Sequence, residues 1–143
     1  MIRLATKKDL DRIYELGSLI SSNFKNTYNV SKYIEDNKYI ILVNEDEIVN
    51  GLLIVYENID YLEIEAIVVD LSYRRKGIAN KLLNYLTSNY TKNKKEILLE
   101  VAVNNTSAIN LYKKNNFEII NIRKKYYNGI DAFIMKQVVK WRM

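Results

Sequence analysis

Residues 61–90 constrain the fold more than any other part of this sequence. An apolar stretch ending in Val68 and Val69 passes Asp70, Leu71, Ser72 and Tyr73 and enters a short basic loop, Arg74, Arg75, Lys76 and Gly77. The loop opens an amphipathic helix whose apolar side is Ile78, Leu82, Leu83, Tyr85 and Leu86. A strand feeding a helix through the pattern R-x-x-G-x-A leaves backbone N–H groups at the helix start without partners, and such groups can hold an anion. Gly77 lets backbone approach a ligand closely, and Ala79 keeps the next turn slim. With three cations beside it, the loop reads as a phosphate cradle and points to a phosphorylated cofactor. As an isolated short motif it reads equally as a capped helix start with solvated cations.

Composition removes several alternatives. The chain has 143 residues, enough for one domain, residues 1–143, around one sizeable core. It contains no cysteine, no histidine and no proline. A thiolate nucleophile, a thiolate zinc site and a Ser-His-Asp triad are therefore excluded, and a general base must be Glu, Asp, Lys, Tyr or water. The net charge of +5, from 22 basic and 17 acidic residues, suits an anionic ligand but is too dispersed to argue for nucleic acid. No apolar run approaches bilayer length and residues 1–8 lack a signal-peptide core, so a cytoplasmic protein without membrane contact is expected.

Periodicity supplies the remaining elements. A short strand at 2–4 is followed by Thr6 and Asp9 at capping-box spacing and a helix to about residue 21. A second short helix is expected over 30–36, a hairpin of 39–43 with 49–56, and a strand over 61–69. Then come the helix 77–90, a strand 97–103, a helix 106–114 capped by Asn105, and strands 117–127 and 131–139 joined at Asn128 and Gly129. Asn116 stands where that last helix must stop and tolerates a left-handed conformation. The order β-α-α-β-β-β-α-β-α-β-β predicts an α/β fold (α+β mixed sheet) with helices on both faces.

The loop is followed, after the next strand, by a second pattern: Asn105, Ala108, Leu111, Tyr112 and Phe117. Each has a plain structural role as a cap or a core residue. Together, in this order and at this separation, the two motifs resemble the GNAT superfamily of acetyl-coenzyme A-dependent N-acetyltransferases, and the element order is similar to that fold over nearly the whole chain. The second half most resembles the RimI-like N-terminal protein acetyltransferases, through Leu99, Glu100, Val101, Asn105, Ala108, Ile109, Leu111, Tyr112, Phe117 and the run Arg123, Lys124, Lys125, Tyr126, Tyr127. Departures are Leu71, where relatives often carry Pro, Asn116 in place of Gly, and Ala102 in place of Arg.

The resemblance implies roles. Strands 4 and 5 would splay to admit acetyl-CoA. Arg74, Arg75, Lys76, Gly77, Ile78, Ala79 and Asn80 would bind its pyrophosphate, Ile67, Val68 and Val69 would pair with the pantetheine arm, and Asn105 would reach it from the next helix. Glu100 would be the general base, its apolar strand raising the carboxylate toward neutrality, and Tyr112 the acid that protonates the departing thiolate. Tyr126 and Tyr127 would help line the groove for the acceptor peptide. Glu63 and Glu65 are alternative bases, because a β-bulge would change which of them faces the cleft. No metal is implied. The expected acceptor is the N-terminal α-amine of a protein, such as a ribosomal protein. A small amine or a lysine side chain is the alternative within the same chemistry, and a non-catalytic coenzyme A-binding or basic nucleic-acid-binding module is the alternative outside it.

Overall fold

The computed structural model describes residues 1–127 and 129–140, except for the side chain of Tyr127. Seven strands form one sheet in the order β1-β2-β3-β4-β5-β7-β6. They are β1 Ile2–Leu4, β2 Tyr39–Glu45, β3 Val49–Glu57, β4 Tyr61–Val69, β5 Glu96–Ala102, β6 Glu118–Tyr127 and β7 Ile130–Val138. The helices are α1 Leu10–Gly17, α2 Phe24–Thr27, α3 Val30–Glu35, α4 Ile78–Asn89 and α5 Thr106–Lys114.

Most boundaries follow local chemistry. Asn105 caps α5 by accepting from the Ala108 N–H at 3.3 Å, and Asn116 ends the turn beyond it at φ 68°. The Asp9 carboxylate accepts from the Thr6 N–H at 2.8 Å, as the capping spacing predicts, but it caps a 3-10 turn over Lys7–Asp9 that leads into α1. The short α2 has no counterpart in the sequence reading. It is fixed from outside by Phe24, which is buried against Gly17 and lies 4.8 Å from the Tyr28 ring. A one-turn helix has too few residues for a periodic signal.

Alternating strand residues feed two apolar layers. Leu42, Leu53, Val55, Leu62, Ile97 and Leu99 pack under α4 and α5 with Leu82, Leu86, Ile109 and Tyr112. Ile41, Val43, Leu52 and Ile54 pack under α1 to α3 with Ile13, Leu16, Phe24 and Val30. Strand β4 changes sides partway along. Ile54 pairs with Ala66 but Val55 pairs with Ile64, so Glu65 is the extra residue of a bulge. Before it Leu62 and Ile64 face α4; after it Ala66 and Val68 face the α1 layer.

The only parallel pairing among the described strands is β4 with β5, and it runs only from Tyr61↔Glu96 to Ile64↔Leu99. Beyond Ile64 and Leu99 the two strands part. A parallel ladder that stops halfway opens a fork in the sheet, and the bulge falls at its apex.

Candidate active site

The fork holds a cavity of about 740 Å³. One wall is Glu65 to Val69 on β4, another is Glu100 to Ala102 on β5, and α4 and α5 close the end with Ile78, Ala79, Asn80, Ala108, Leu111 and Tyr112. On β4, Ile67, Val68 and Val69 are paired to β3 on one side through Leu53, Leu52 and Gly51, while the ladder toward β5 has already ended. Their outer backbone groups therefore face the cavity, where an extended arm with amide groups can continue the ladder.

The basic loop stands at the other end. Gly77 caps α4 at φ 77°, and Arg75 is also left-handed at φ 65°. Two left-handed residues so close together curl successive N–H groups around a concavity suited to an anion. A Cβ at Gly77 would meet nothing within 4 Å, so open space lies in front of the helix start. Arg74, Arg75, Gly77, Ile78, Ala79 and Asn80 line the cavity. Lys76 does not; its ammonium sits 5.2 Å from the centre of the Tyr73 ring. The side-chain oxygen of Asn80 accepts from the Asn115 amide at 2.7 Å, which ties the first turn of α4 to the end of α5. Asn105 lines the cavity, but its Oδ1 serves the helix cap. Asp70 accepts from the Ser72 N–H at 2.8 Å and is ion-paired to Arg12, so the entry to the loop is tied to α1.

The titratable residues expected to do chemistry lie around the point where β4 and β5 separate. Tyr112 is buried in the cavity wall, its ring edge-on to Phe117 with centroids 5.7 Å apart. Glu100 alternates with the core residues Leu99 and Val101, so its side chain faces the α1 side of the sheet. Its side chain is 17% exposed, and Oε1 is 2.8 Å from Nη2 of Arg123. Oε2 is buried and has no hydrogen-bond partner. The apolar strand seen in the sequence is therefore only part of the surroundings of Glu100, which also include a guanidinium from another strand. Glu63 and Glu65 are both pushed above the usual carboxylate range, chiefly by burial, with Glu100 adding repulsion to each. Glu65 lines the cavity from the bulge, whose backbone is held by Tyr28: its hydroxyl donates to the Glu65 carbonyl at 3.0 Å.

The cavity is partly lined by residues the sequence did not single out. Leu19, Ile20 and Tyr28 line the cavity mouth. Two exposed apolar residues just past a helix are a weak signal, and Tyr28 had none. Tyr126 does not line the cavity; it is half-exposed on β6, with the Arg123 guanidinium 4.7 Å from its ring centre. The side chain of Tyr127 and the turn residue Asn128 lie outside the described residues.

Comparison with known proteins bears on the family and the fold. The model of the acetyltransferase (GNAT) family matches residues 8–117. N-alpha-acetyltransferases from Saccharolobus solfataricus and Sulfolobus acidocaldarius are 32% and 33% identical, each over 94% of this chain and about nine-tenths of their own length. A match to the N-alpha-acetyltransferase daf-31 of Caenorhabditis elegans is 41% identical over 83 residues, and covers 54% of this chain but 46% of that protein. Among solved structures, the fold is similar to Ard1 from Thermoplasma volcanium (TM-score 0.86, 22% identity, 99% of this chain and 98% of that one). It is also similar to the ribosomal-protein-S18-alanine N-acetyltransferase from Escherichia coli (TM-score 0.80, 23% identity, 100% and 96%).

Proposed function

The chain belongs to the acetyltransferase (GNAT) family, and we propose that this acetyl-CoA-dependent N-acetyltransferase acts on the N-terminal α-amine of a protein. The observation that carries the acceptor assignment is the likeness to two archaeal N-alpha-acetyltransferases over 94% of the chain. So few residues remain unmatched that the likeness takes in α1 to α3, the elements on the acceptor side of the sheet.

Acetyl-CoA supplies the acyl group as an activated thioester. Its phosphates would lie against Arg74, Arg75 and the backbone from Gly77 to Asn80, and its amide-bearing arm along Ile67 to Val69, an assignment supported by the left-handed loop and the open β4 edge. Glu100 would receive the proton of the acceptor ammonium on Oε2, the oxygen without a partner, directly or through one water. The freed amine attacks the thioester carbon, the C–N bond forms and the C–S bond breaks. N–H groups of β4 past the bulge would hold the carbonyl oxygen as it gains charge. Tyr112 would give its phenolic proton to the leaving sulfur. An α-amine suits this arrangement because its ordinary pKa, about 8, makes proton removal easier than from lysine.

The acidic centre also suits a small polycation. Glu65 and Glu100 line the cleft, Glu63 is close enough to repel both, and among the described residues no carboxylate group has the arrangement of a metal site. Mass gain on a peptide library varying the first residues, run beside polyamines, amino sugars and peptides whose only amine is lysine, separates these readings. Acetylation confined to α-amines supports the proposal. Turnover of the small amines or lysine peptides alone refutes it.

A further inference from the structure

The ion pair on Glu100 comes from a strand that is not its neighbour. In the sheet order β7 lies between β5 and β6, and the register places Ala132 between Ala102 and Arg123. Ala132 offers only a methyl group there, so the Arg123 side chain can cross β7 and bring Nη2 to 2.8 Å from Glu100 Oε1. Strand β6 loses its regular register between Arg123 and Tyr127, and Lys125 is left-handed at φ 52°. The Lys125 N–H donates to Asp131 Oδ1 at 2.9 Å, and the Lys124 ammonium lies 3.4 Å from Asp131 Oδ2. Asp131 thus anchors the two lysines, while Arg123 is directed to the cleft with its guanidinium over Tyr126.

We propose that Arg123 is a positioning residue for the reaction: it grips Glu100 by Oε1, leaves Oε2 for the acceptor, and sets a positive charge against the base. The inference rests on the reading of Glu100 as the base. The charged groups that act on Glu100 are Glu63 and Glu65 from β4 and Arg123 from β6, and the uncharged Ile134 stands opposite it on β7. Arg123 is the single cation in that set, and it opposes the upward push that burial and Glu100 exert on Glu63.

The test is kcat and KM for a peptide substrate across pH for Arg123→Gln, Arg123→Lys and Glu100→Gln, with acetyl-CoA affinity by calorimetry. Removing an adjacent positive charge should move the acid limb of kcat/KM to higher pH by about one unit, which is about a tenfold loss on that limb. Acetyl-CoA affinity should stay within about twofold of the parent, because Arg123 is not part of the cavity wall. Lys, a point charge without the planar fork, should restore most of the limb's position and only part of kcat. An Arg123→Gln profile lowered equally at all pH values, or a Lys variant that restores none of the shift, overturns the proposal. An acid limb that persists in Glu100→Gln overturns the base assignment itself. A limb that vanishes in Glu100→Gln but does not move in Arg123→Gln overturns only the role of Arg123. Arg123 is 51% exposed on an edge strand, so the Gln variant should fold, and the Lys comparison carries the test if it does not.

Discussion

At the scale of single residues, the decisive feature is one unsatisfied oxygen. Buried polar atoms nearly always have a partner, so the orphaned Oε2 of Glu100 marks an unspent interaction in the cleft. Glu100→Gln keeps the shape and removes the basicity; acetyl transfer should fall by at least about 10²-fold at neutral pH while calorimetry returns a near-parental acetyl-CoA affinity. An unchanged turnover would remove Glu100 from the chemistry. A second residue acts on stability. Arg3 holds the Asp9 carboxyl below its ordinary 3.8, with Nη1 to Oδ2 at 2.8 Å and Nη2 to Oδ1 at 2.9 Å. A carboxyl depressed in the folded state stabilises above its unfolded pKa, and that contribution disappears as pH falls through the lower folded value. Asp9→Asn should therefore cost about 1–2 kcal/mol at neutral pH, and the gap from the parent should close in urea melts repeated below the ordinary carboxylate range.

At the scale of elements, two glycines decide where helices sit. A Cβ at Gly51 on β3 would lie 2.7 Å from Ile78 and 3.2 Å from Leu82, so the start of α4 rests on bare backbone. Gly51→Val should lift the helix that carries the cradle, costing about 1–3 kcal/mol and weakening acetyl-CoA binding as well; parental affinity in calorimetry would show that the helix had not moved. Gly77 is different, because its surroundings are open and its constraint is the left-handed backbone together with the open space in front of the helix start. Gly77→Glu puts a negative charge into that space, and loss of measurable acetyl-CoA binding with a folded circular dichroism spectrum is the expected result. The boundaries of α4 and α5 were legible because caps and apolar periodicity are local: Asn105, Asn116 and the Ile78, Leu82, Leu83, Leu86 face stand where the sequence put them. Helix α2 was not, since its reason is the contact of Phe24 with Gly17, a packing event with no periodic trace.

At the scale of the whole molecule, the sheet is held across its fork by a short ladder and by a continuous core. The β4–β5 pairing spans only Tyr61 to Ile64, yet the apolar cluster under α4 and α5 runs from Ile40 on β2 to Met135 on β7. Unfolding should accordingly be one calorimetric transition, and acetyl-CoA at about a hundred times its Kd should raise stability by about 2.7 kcal/mol without splitting it. Two resolved transitions would mean that the halves on either side of the fork melt separately. No helix among the described residues is long and apolar enough to cross a membrane.

Composition, the succession of strands, the R-x-x-G-x-A loop and the capped helix carrying Tyr112 were determined by the sequence alone, because charge, capping and periodicity act between residues close in the chain. The tertiary structure decided the rest. The bulge at Glu65 chooses which β4 residues meet the cleft, and it depends on register against β3. The Arg123–Glu100 pair depends on β7 being inserted between β5 and β6, with a small residue at the crossing point. Even Lys76, one of three adjacent cations in the sequence, parts from Arg74 and Arg75 once Tyr73 is beside it. A linear pattern records which charges and apolar groups are near one another along the chain. Where each carboxylate finds its counter-charge is set by strand order and side-chain size across the sheet.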